Sequence, residues 1–234
     1  MLAARELRAR MVRVAAFLLD GTVDEIQVAD SAFHLPRSDK RLTFIDLAKA
    51  LYSQMGRVPA EFREDLNVTK SYDPIFGTTS SSTHMALVEV DPETCFVQIK
   101  RYIVAEDCGR IINPLIVDGQ TRGAVAQGVG AALFEEVVYD ANGQVLTASL
   151  VDYVIPSAPE VPNLEIVHLE TEAPSTMGGI RGMGEGGTIG APAAIANAIA
   201  DALSPFGIEV FELPATPDRI FKLVNAARQR PNSN

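Results

Sequence analysis

The sequence has few of the side chains that usually hold metal ions or form disulfide bonds. Its 234 residues include two cysteines and three histidines. Cys95 and Cys108 are too few for a disulfide framework or a four-thiolate iron–sulfur cluster. His34, His84 and His168 lie too far apart along the chain for a typical paired-histidine metal site. We therefore expect no metal site built from these side chains, and we interpret Cys108 as a small buried side chain rather than a reactive thiol.

Positive charge is also scarce, and long hydrophobic runs are missing. Thirty acidic residues against 20 basic ones give a formal net charge of −10, which argues against nucleic-acid binding and against binding to anionic membranes. The apolar N-terminal stretch is interrupted by arginines, so neither a secretory signal nor a membrane span is expected. A cytoplasmic protein without a nucleic-acid partner is the resulting prediction.

The hydrophobic pattern predicts an α+β fold of mixed helices and β-hairpins. Helices are predicted at residues 1–19, 43–52, 113–137, 191–203 and 217–227. Strands are predicted at residues 26–28, 33–35, 85–90, 96–104, 164–169 and 208–211, and a further hairpin at residues 137–139 and 145–147. We expect one partial domain over residues 1–234, with a possible subdivision into a helix and loop segment, 1–83, and a second segment, 84–227.

Residues 178–190 form a glycine-rich segment in which Glu185 is the sole acidic residue. It precedes an alanine-rich helix pattern, in which Pro192 is expected in the first turn. Three interpretations are open. The segment could be a structural turn, or Gly182-x-Gly184-x-x-Gly187 could be a dinucleotide-binding fingerprint, although no hydrophobic strand precedes it. The third interpretation is a catalytic carboxylate in a cofactor pocket, where glycines let the backbone approach a ligand.

Two motifs resemble the large subunits of the molybdenum hydroxylases, the family of xanthine dehydrogenase, aldehyde oxidoreductase and aerobic carbon monoxide dehydrogenase. The first is Gly182-Met-Gly-Glu-Gly-Gly187, followed by Gly190-Ala-Pro-Ala-Ala-Ile-Ala-Asn-Ala-Ile. The second is Glu106-Asp-Cys-Gly-Arg-Ile-Ile-Asn-Pro114, with Gly119-Gln-Thr-Arg-Gly-Ala-Val-Ala-Gln-Gly128 after it. The resemblance covers only the C-terminal part of such a subunit, so it implies the C-terminal half of a molybdopterin-binding domain.

The resemblance also implies a cofactor and roles for individual residues. The cofactor would be molybdenum–molybdopterin, commonly in its cytosine dinucleotide form, with the metal held by the pterin rather than by side chains. Glu185 would act as the general base on a water-derived oxygen. Cofactor contacts are implied for Gly182, Met183, Gly184 and Gly186, and less directly for Gly119, Gln120, Gln127 and Gly128. We interpret Asp107, Arg110 and Asn113 as caps and loop-fixing residues instead.

Finally, the resemblance implies partners. The rest of the large subunit would complete the site, and iron–sulfur and FAD subunits would carry electrons from a small-molecule substrate. That substrate stays open between carbon monoxide, an aldehyde and an N-heteroaromatic compound. The isolated chain is expected to be inactive. The alternatives are a truncated, non-catalytic remnant that acts as a binding or interaction module, and an independent module that binds a free dinucleotide.

Overall fold

The chain divides into two compact units in the computed structural model, which describes residues 1–74, 76 and 78–229. The first unit comprises Met1–Asp73, and the second begins at Pro74. Each unit has its own cluster of buried apolar side chains. They are therefore described one at a time.

The first unit opens with the long predicted helix, α1 (Leu2–Leu19). Its apolar positions recur at helical spacing, and the buried face includes Met11, Val14 and Leu19. Burying this face against the strands that follow stabilises a helix whose other side carries arginines and glutamate. In the part of the chain that the structure describes, no helix is long and apolar enough to cross a membrane.

A small antiparallel sheet and a second helix complete the first unit. The strands β1 (Gln27–Ala29), β2 (Ala32–Leu35) and β3 (Lys40–Thr43) pair in chain order. Helix α2 (Phe44–Tyr52) follows directly. The Thr43 hydroxyl accepts a hydrogen bond from the Asp46 amide at 3.1 Å and so caps this helix.

The second unit is a three-stranded sheet with two long helices on one face. Strands β4 (Ser81–Val90) and β5 (Val97–Asp107) form the predicted hairpin, and β6 (Leu164–Leu169) pairs with β5 in parallel. Helices α3 (Pro114–Leu133) and α4 (Gly186–Leu203) pack together, and α5 (Pro217–Arg228) ends the described chain. The core joins sheet and helices through side chains such as Tyr102, Val125, Ile195 and Ile199. The α+β prediction is confirmed.

Both long helices of this unit have boundaries that the sequence did not predict. Helix α4 begins at Gly186 rather than at residue 191, because the Glu185 carbonyl already accepts hydrogen bonds from the amides of Thr188 and Ile189. Pro192 therefore lies inside the helix, and its expected place in the first turn was wrong. Helix α3 ends at Leu133 rather than at residue 137, since the Glu135 amide turns back to the Gly130 carbonyl at 2.8 Å.

Two predicted strand regions are not strands. Residues 208–211 form no sheet ladder, although the Ile208 side chain is buried in the core. The predicted hairpin at 137–147 is reduced to one isolated bridge between Tyr139 and Val145. Backbone hydrogen bonds from Leu146 to Val138 and from Asp140 to Gln144 still join the two arms, so the predicted hairpin is present without a regular strand ladder.

Candidate functional site

The glycine-rich loop lines an open cavity of about 430 Å³ in the second unit. The loop side contains Glu185 and four of the residues for which cofactor contacts were predicted. The opposite side is a hydroxyl-bearing segment immediately before β4, which the sequence interpretation missed. Its only local signal was an unbroken run of threonine and serine. The lining residues are Thr78, Thr79, Ser80, Gly182, Met183, Gly184, Glu185, Gly186 and Ile189.

Glu185 stands at the mouth of this cavity as the N-terminal cap residue of α4. Its side chain is exposed and accepts no capping hydrogen bond. The first-turn amides of Gly186 and Gly187 have no acceptor within the described residues. The helix dipole adds partial positive charge at this end, so the loop presents a free carboxylate beside unpaired amide donors.

The glycines after Glu185 are needed by the fold, because three elements press against them. A β-carbon at Gly186 would come within 3.0 Å of the Glu106 carboxylate on β5. One at Gly187 would lie 2.8 Å from the Thr121 carbonyl of α3, and one at Gly190 would enter the His84 ring of β4. Real side chains do not reach such distances, so these positions explain part of the glycine content without any ligand.

Gly184 differs from these packed glycines. A β-carbon there would meet no atom within 4 Å, so the backbone is open toward the cavity. On the loop side, the Gly182 amide donates to the Thr78 carbonyl, which joins the loop to the hydroxyl-bearing segment. The space at Gly184 is the position where a ligand can approach the backbone.

A half-buried hydrogen-bond chain lies beneath the first turn of α4. The Gly186 carbonyl accepts from the Ser82 hydroxyl at 2.9 Å and lies 3.1 Å from His84 Nε2. His84 Nδ1 lies 2.8 Å from the Tyr102 hydroxyl. Burial lowers the pKa of His84, although the Gly186 carbonyl and the Glu106 carboxylate act in the opposite direction. Burial also raises the pKa of the Tyr102 phenol.

Glu106 is a second carboxylate directly behind the cavity wall. Its side chain is only 1 % exposed. One carboxylate oxygen accepts from the Thr121 hydroxyl at 2.8 Å, whereas the other, Oε1, has no partner among the described residues. Sequence reasoning placed this residue in a motif but gave it no role. A buried polar oxygen without a partner is uncommon and requires an explanation.

The second motif contains two glutamines and two glycines for which cofactor contacts were predicted. Gln120 donates to the Gly184 carbonyl at 2.7 Å, and Gln127 accepts from the Thr188 hydroxyl at 3.3 Å. Both side chains therefore support the loop or the helix beside it. Gly128 allows Ala191 of α4 to approach, whereas a β-carbon at Gly119 would meet nothing within 4 Å. The motif thus lies against the candidate site, with Gly119 outside these contacts.

Two of the three residues interpreted as caps and loop-fixing residues, Asp107 and Asn113, do fix local structure through their side chains. Asn113 caps α3 by accepting from the Leu115 amide at 3.1 Å. Asp107 accepts from the amides of Gly109 and Thr171, and hydrogen bonding from Thr171 lowers the pKa of the Asp107 carboxyl. Cys108 is buried and free, as expected.

The donors around the cavity fit an anionic cofactor rich in hydrogen-bond acceptors. They comprise three hydroxyl side chains, the open backbone at Gly184 and the unpaired amide of Gly186 at the start of α4. Helix N-termini favour anions such as phosphate. Within the described ranges, no group of three or more His, Cys, Asp or Glu side chains could hold a metal ion. This site can therefore bind a group through uncharged hydrogen-bond donors, with one carboxylate nearby.

Comparison with known proteins gives a consistent set of relatives. The model of the family described as molybdopterin cofactor-binding domain matches residues 1–162. The nicotine 6-hydroxylase large subunit of Paenarthrobacter nicotinovorans is 42% identical over 94% of this chain and 27% of its own length. The carbon monoxide dehydrogenase large chain of Hydrogenophaga pseudoflava is 29% identical over the same shares.

Solved structures agree with these relatives in fold. Quinoline 2-oxidoreductase from Pseudomonas putida 86 matches 97% of this chain and 29% of its own, with a TM-score of 0.83 and 38% identity. A Cu,Mo-CO dehydrogenase matches 98% of this chain and 29% of its own, with a TM-score of 0.85 and 27% identity. The chain thus spans little more than a quarter of the length of these four relatives.

Proposed function

Because this chain belongs to the molybdopterin cofactor-binding domain family of the molybdenum hydroxylase large subunits, we propose that it supplies the glutamate-bearing part of such an enzyme's active site. The observation that carries the proposal is the cavity beside α4. Glu185, the backbone opening at Gly184 and Gly186, whose amide has no acceptor within the described residues, line the same open space. A partner chain that carries the rest of the large subunit completes the site.

The chain's own residues bind and orient the reactants in this proposal. Gly182, Met183, Gly184 and Gly186 hold the molybdenum–molybdopterin cofactor, in its cytosine dinucleotide form, through backbone groups. Gln120 supports them through its hydrogen bond to the Gly184 carbonyl. When bound, the cofactor supplies the two-electron oxidation of the substrate carbon.

Glu185 acts as the general base. It accepts a proton at its carboxylate from the water-derived oxygen that is transferred to the substrate. Its exposure within this chain leaves the carboxylate free to reach a reacting group, and a partner chain is needed to exclude water around it. A positioned base of this kind contributes about 10²- to 10⁴-fold in rate.

We further propose an N-heteroaromatic substrate, in preference to carbon monoxide or an aldehyde. Two relatives, 42% and 38% identical to this chain, are named for nicotine and quinoline. The carbon monoxide dehydrogenases are 29% and 27% identical. Iron–sulfur and FAD subunits accept the electrons in the proposed assembly.

The test is to purify the chain from its own host under gentle conditions. Molybdenum, released CMP and co-purifying chains are measured, and turnover is compared with quinoline, benzaldehyde and carbon monoxide. We expect molybdenum, CMP, a partner large-subunit fragment and the fastest turnover on the heteroaromatic compound. An isolated chain with neither molybdenum nor CMP would contradict the proposal and favour a non-catalytic remnant. Faster turnover on one of the other substrates would contradict the substrate assignment alone.

A further inference from the structure

We propose that His84 is a positioning residue for Glu185, acting through the carbonyl of Gly186 at the start of α4. This inference rests on the proposed function of Glu185. His84 belongs neither to the glycine-rich loop nor to the motif at residues 106–128. It lies on β4, on the buried side of the helix turn that carries Glu185.

Glu185 depends on its backbone for orientation, because its side chain has no capping hydrogen bond. The Glu185 carbonyl is tied to the amides of Thr188 and Ile189. The next carbonyl, that of Gly186, is held from below by the Ser82 hydroxyl and by His84. The Gly186 carbonyl belongs to the peptide that follows Gly186, so these contacts hold the first turn one residue after the proposed base.

Two oxygens face His84 Nε2, the Gly186 carbonyl at 3.1 Å and Ser82 Oγ at 3.2 Å. Because the Ser82 hydroxyl donates to the Gly186 carbonyl, we assign the proton to Nε2, which then donates to these oxygens. In the neutral ring, Nδ1 then accepts from the Tyr102 hydroxyl at 2.8 Å. Tyr102 is fully buried, so a rigid core residue holds the imidazole in place. The charged group facing the ring is the Glu106 carboxylate of β5.

Packing confines the ring as well. It lies edge-on to the Tyr102 ring, with centroids 5.8 Å apart. On its other side it occupies the space where Gly190 would carry a β-carbon. A chain that only needed a donor to Gly186 already has the Ser82 hydroxyl. His84 is a second donor, and Tyr102 is its own buried partner. Two donors hold this turn more firmly than one, as expected where a catalytic group must be kept in place.

The proposal is tested by hydrogen–deuterium exchange in the purified full chain. The readout is exchange in the peptide that covers residues 186–190, compared with α5 of the same unit. We expect His84→Leu to speed exchange at the first turn about tenfold, the effect of losing one buried hydrogen bond. His84→Gln keeps an N–H donor at the reach of Nε2, so we expect exchange within about threefold of the original rate.

Two results would overturn this anchoring. One is unchanged exchange at residues 186–190 in His84→Leu, and the other is exchange in His84→Gln as fast as in His84→Leu. If His84→Leu does not fold, Tyr102→Phe decides, because it removes only the hydroxyl that orients the ring. We expect it to speed exchange in the first turn and not in α5. No change at either place would contradict the proposal.

The link to catalysis is measured separately, in the chain assembled with the rest of its large subunit. We expect His84→Leu to lower kcat about tenfold, with KM and molybdenum content little changed, and His84→Gln to recover most of kcat. An unchanged kcat despite faster exchange would show that the anchor is merely structural. If the unsubstituted assembly neither holds molybdenum nor turns over, the proposed function fails, whereas the exchange result still decides the anchoring.

Discussion

The two sides of the first turn of α4 differ in what they require from the sequence. On the cavity side, Gly184 and Glu185 are exposed, and a β-carbon at Gly184 would meet nothing. On the buried side, Gly186, Gly187 and Gly190 are each pressed by a different element of the fold. The glycines of this one segment are therefore required for two separate physical reasons.

This difference teaches which glycines can indicate a ligand. Glycine inside a helix is less favourable than alanine by about 1 kcal/mol, so each one needs a reason. Close approach of β4, β5 and α3 is the reason on the buried side. Substitutions on the cavity side should then change chemistry with little effect on folding, and those on the buried side should change folding first.

The largest expected effect comes from Glu185→Gln on the cavity side. In the assembled enzyme we expect turnover to fall about 10²- to 10⁴-fold, because an amide cannot act as the base. The exposed side chain has no capping hydrogen bond to lose, and loss of its charge at the helix N-terminus costs less than about 1 kcal/mol, so the midpoint of denaturant unfolding should change little. Turnover per molybdenum is the measurement.

The matched control for this experiment is Glu209→Gln, since Glu209 is also exposed and lies outside the cavity lining. It should leave turnover unaffected. Near-normal turnover of an assembled Glu185→Gln enzyme would remove Glu185 from the mechanism. A large loss of stability would instead erase the distinction between the two sides.

The next effect is expected from Gly187→Ala on the buried side. The new methyl would lie 2.8 Å from the Thr121 carbonyl and 3.2 Å from the Val125 amide of α3. Backbone cannot swing away as a flexible side chain can, so the two helices must separate. We expect unfolding free energy to fall by roughly 3 kcal/mol, the upper end for overpacking, measured by urea denaturation. A variant as stable as the original chain would show that the helices are not in this contact.

The sequence predicted those parts of the fold that local chemistry determines. Asn113 and Pro114 indicate the start of α3, and Asn113 does cap it. Thr216 and Pro217 do the same for α5, whose cap accepts from the Arg219 amide. A capping side chain acts on amides two or three residues away, so its signal is readable without the rest of the fold.

The start of α4 was missed because it depends on tertiary contacts. Ala191 and Pro192 look like a local start, yet the helix already begins at Gly186. Helical glycines are locally unfavourable, and they are stabilised here by packing against three distant segments. Likewise, the loop bearing Glu185 was predictable as a motif. The opposite wall at Thr78 and Ser80 was not, since only the fold brings it there.

A smaller effect on stability should come from Thr121→Val, on the buried side behind Gly186. Thr121 is fully buried, and its hydroxyl is the one partner of the Glu106 carboxylate among the described residues. Valine keeps the shape but removes the donor. We expect unfolding free energy to fall by about 2 kcal/mol, the penalty for a buried polar group left unsatisfied. Urea denaturation measures it.

The double variant Thr121→Val with Glu106→Leu is the check on that cause. Replacing both partners by apolar groups should recover part of the loss, because no buried polar group then lacks a partner. If the double variant loses more unfolding free energy than the two single variants lose in total, the loss does not come from the unsatisfied carboxylate.

The smallest effect, and the one opposite in sign, is expected from Gly123→Ala on α3. Gly123 is an exposed helical glycine, and a β-carbon there would meet nothing within 4 Å. We expect unfolding free energy of the isolated chain to rise by about 1 kcal/mol, the helix preference of alanine over glycine. The same glycine-to-alanine change thus destabilises at Gly187 and stabilises at Gly123, in helices that pack together. If Gly123→Ala also lowered the unfolding free energy, open and packed helix glycines would respond alike. The contrast between the two kinds of position would then fail.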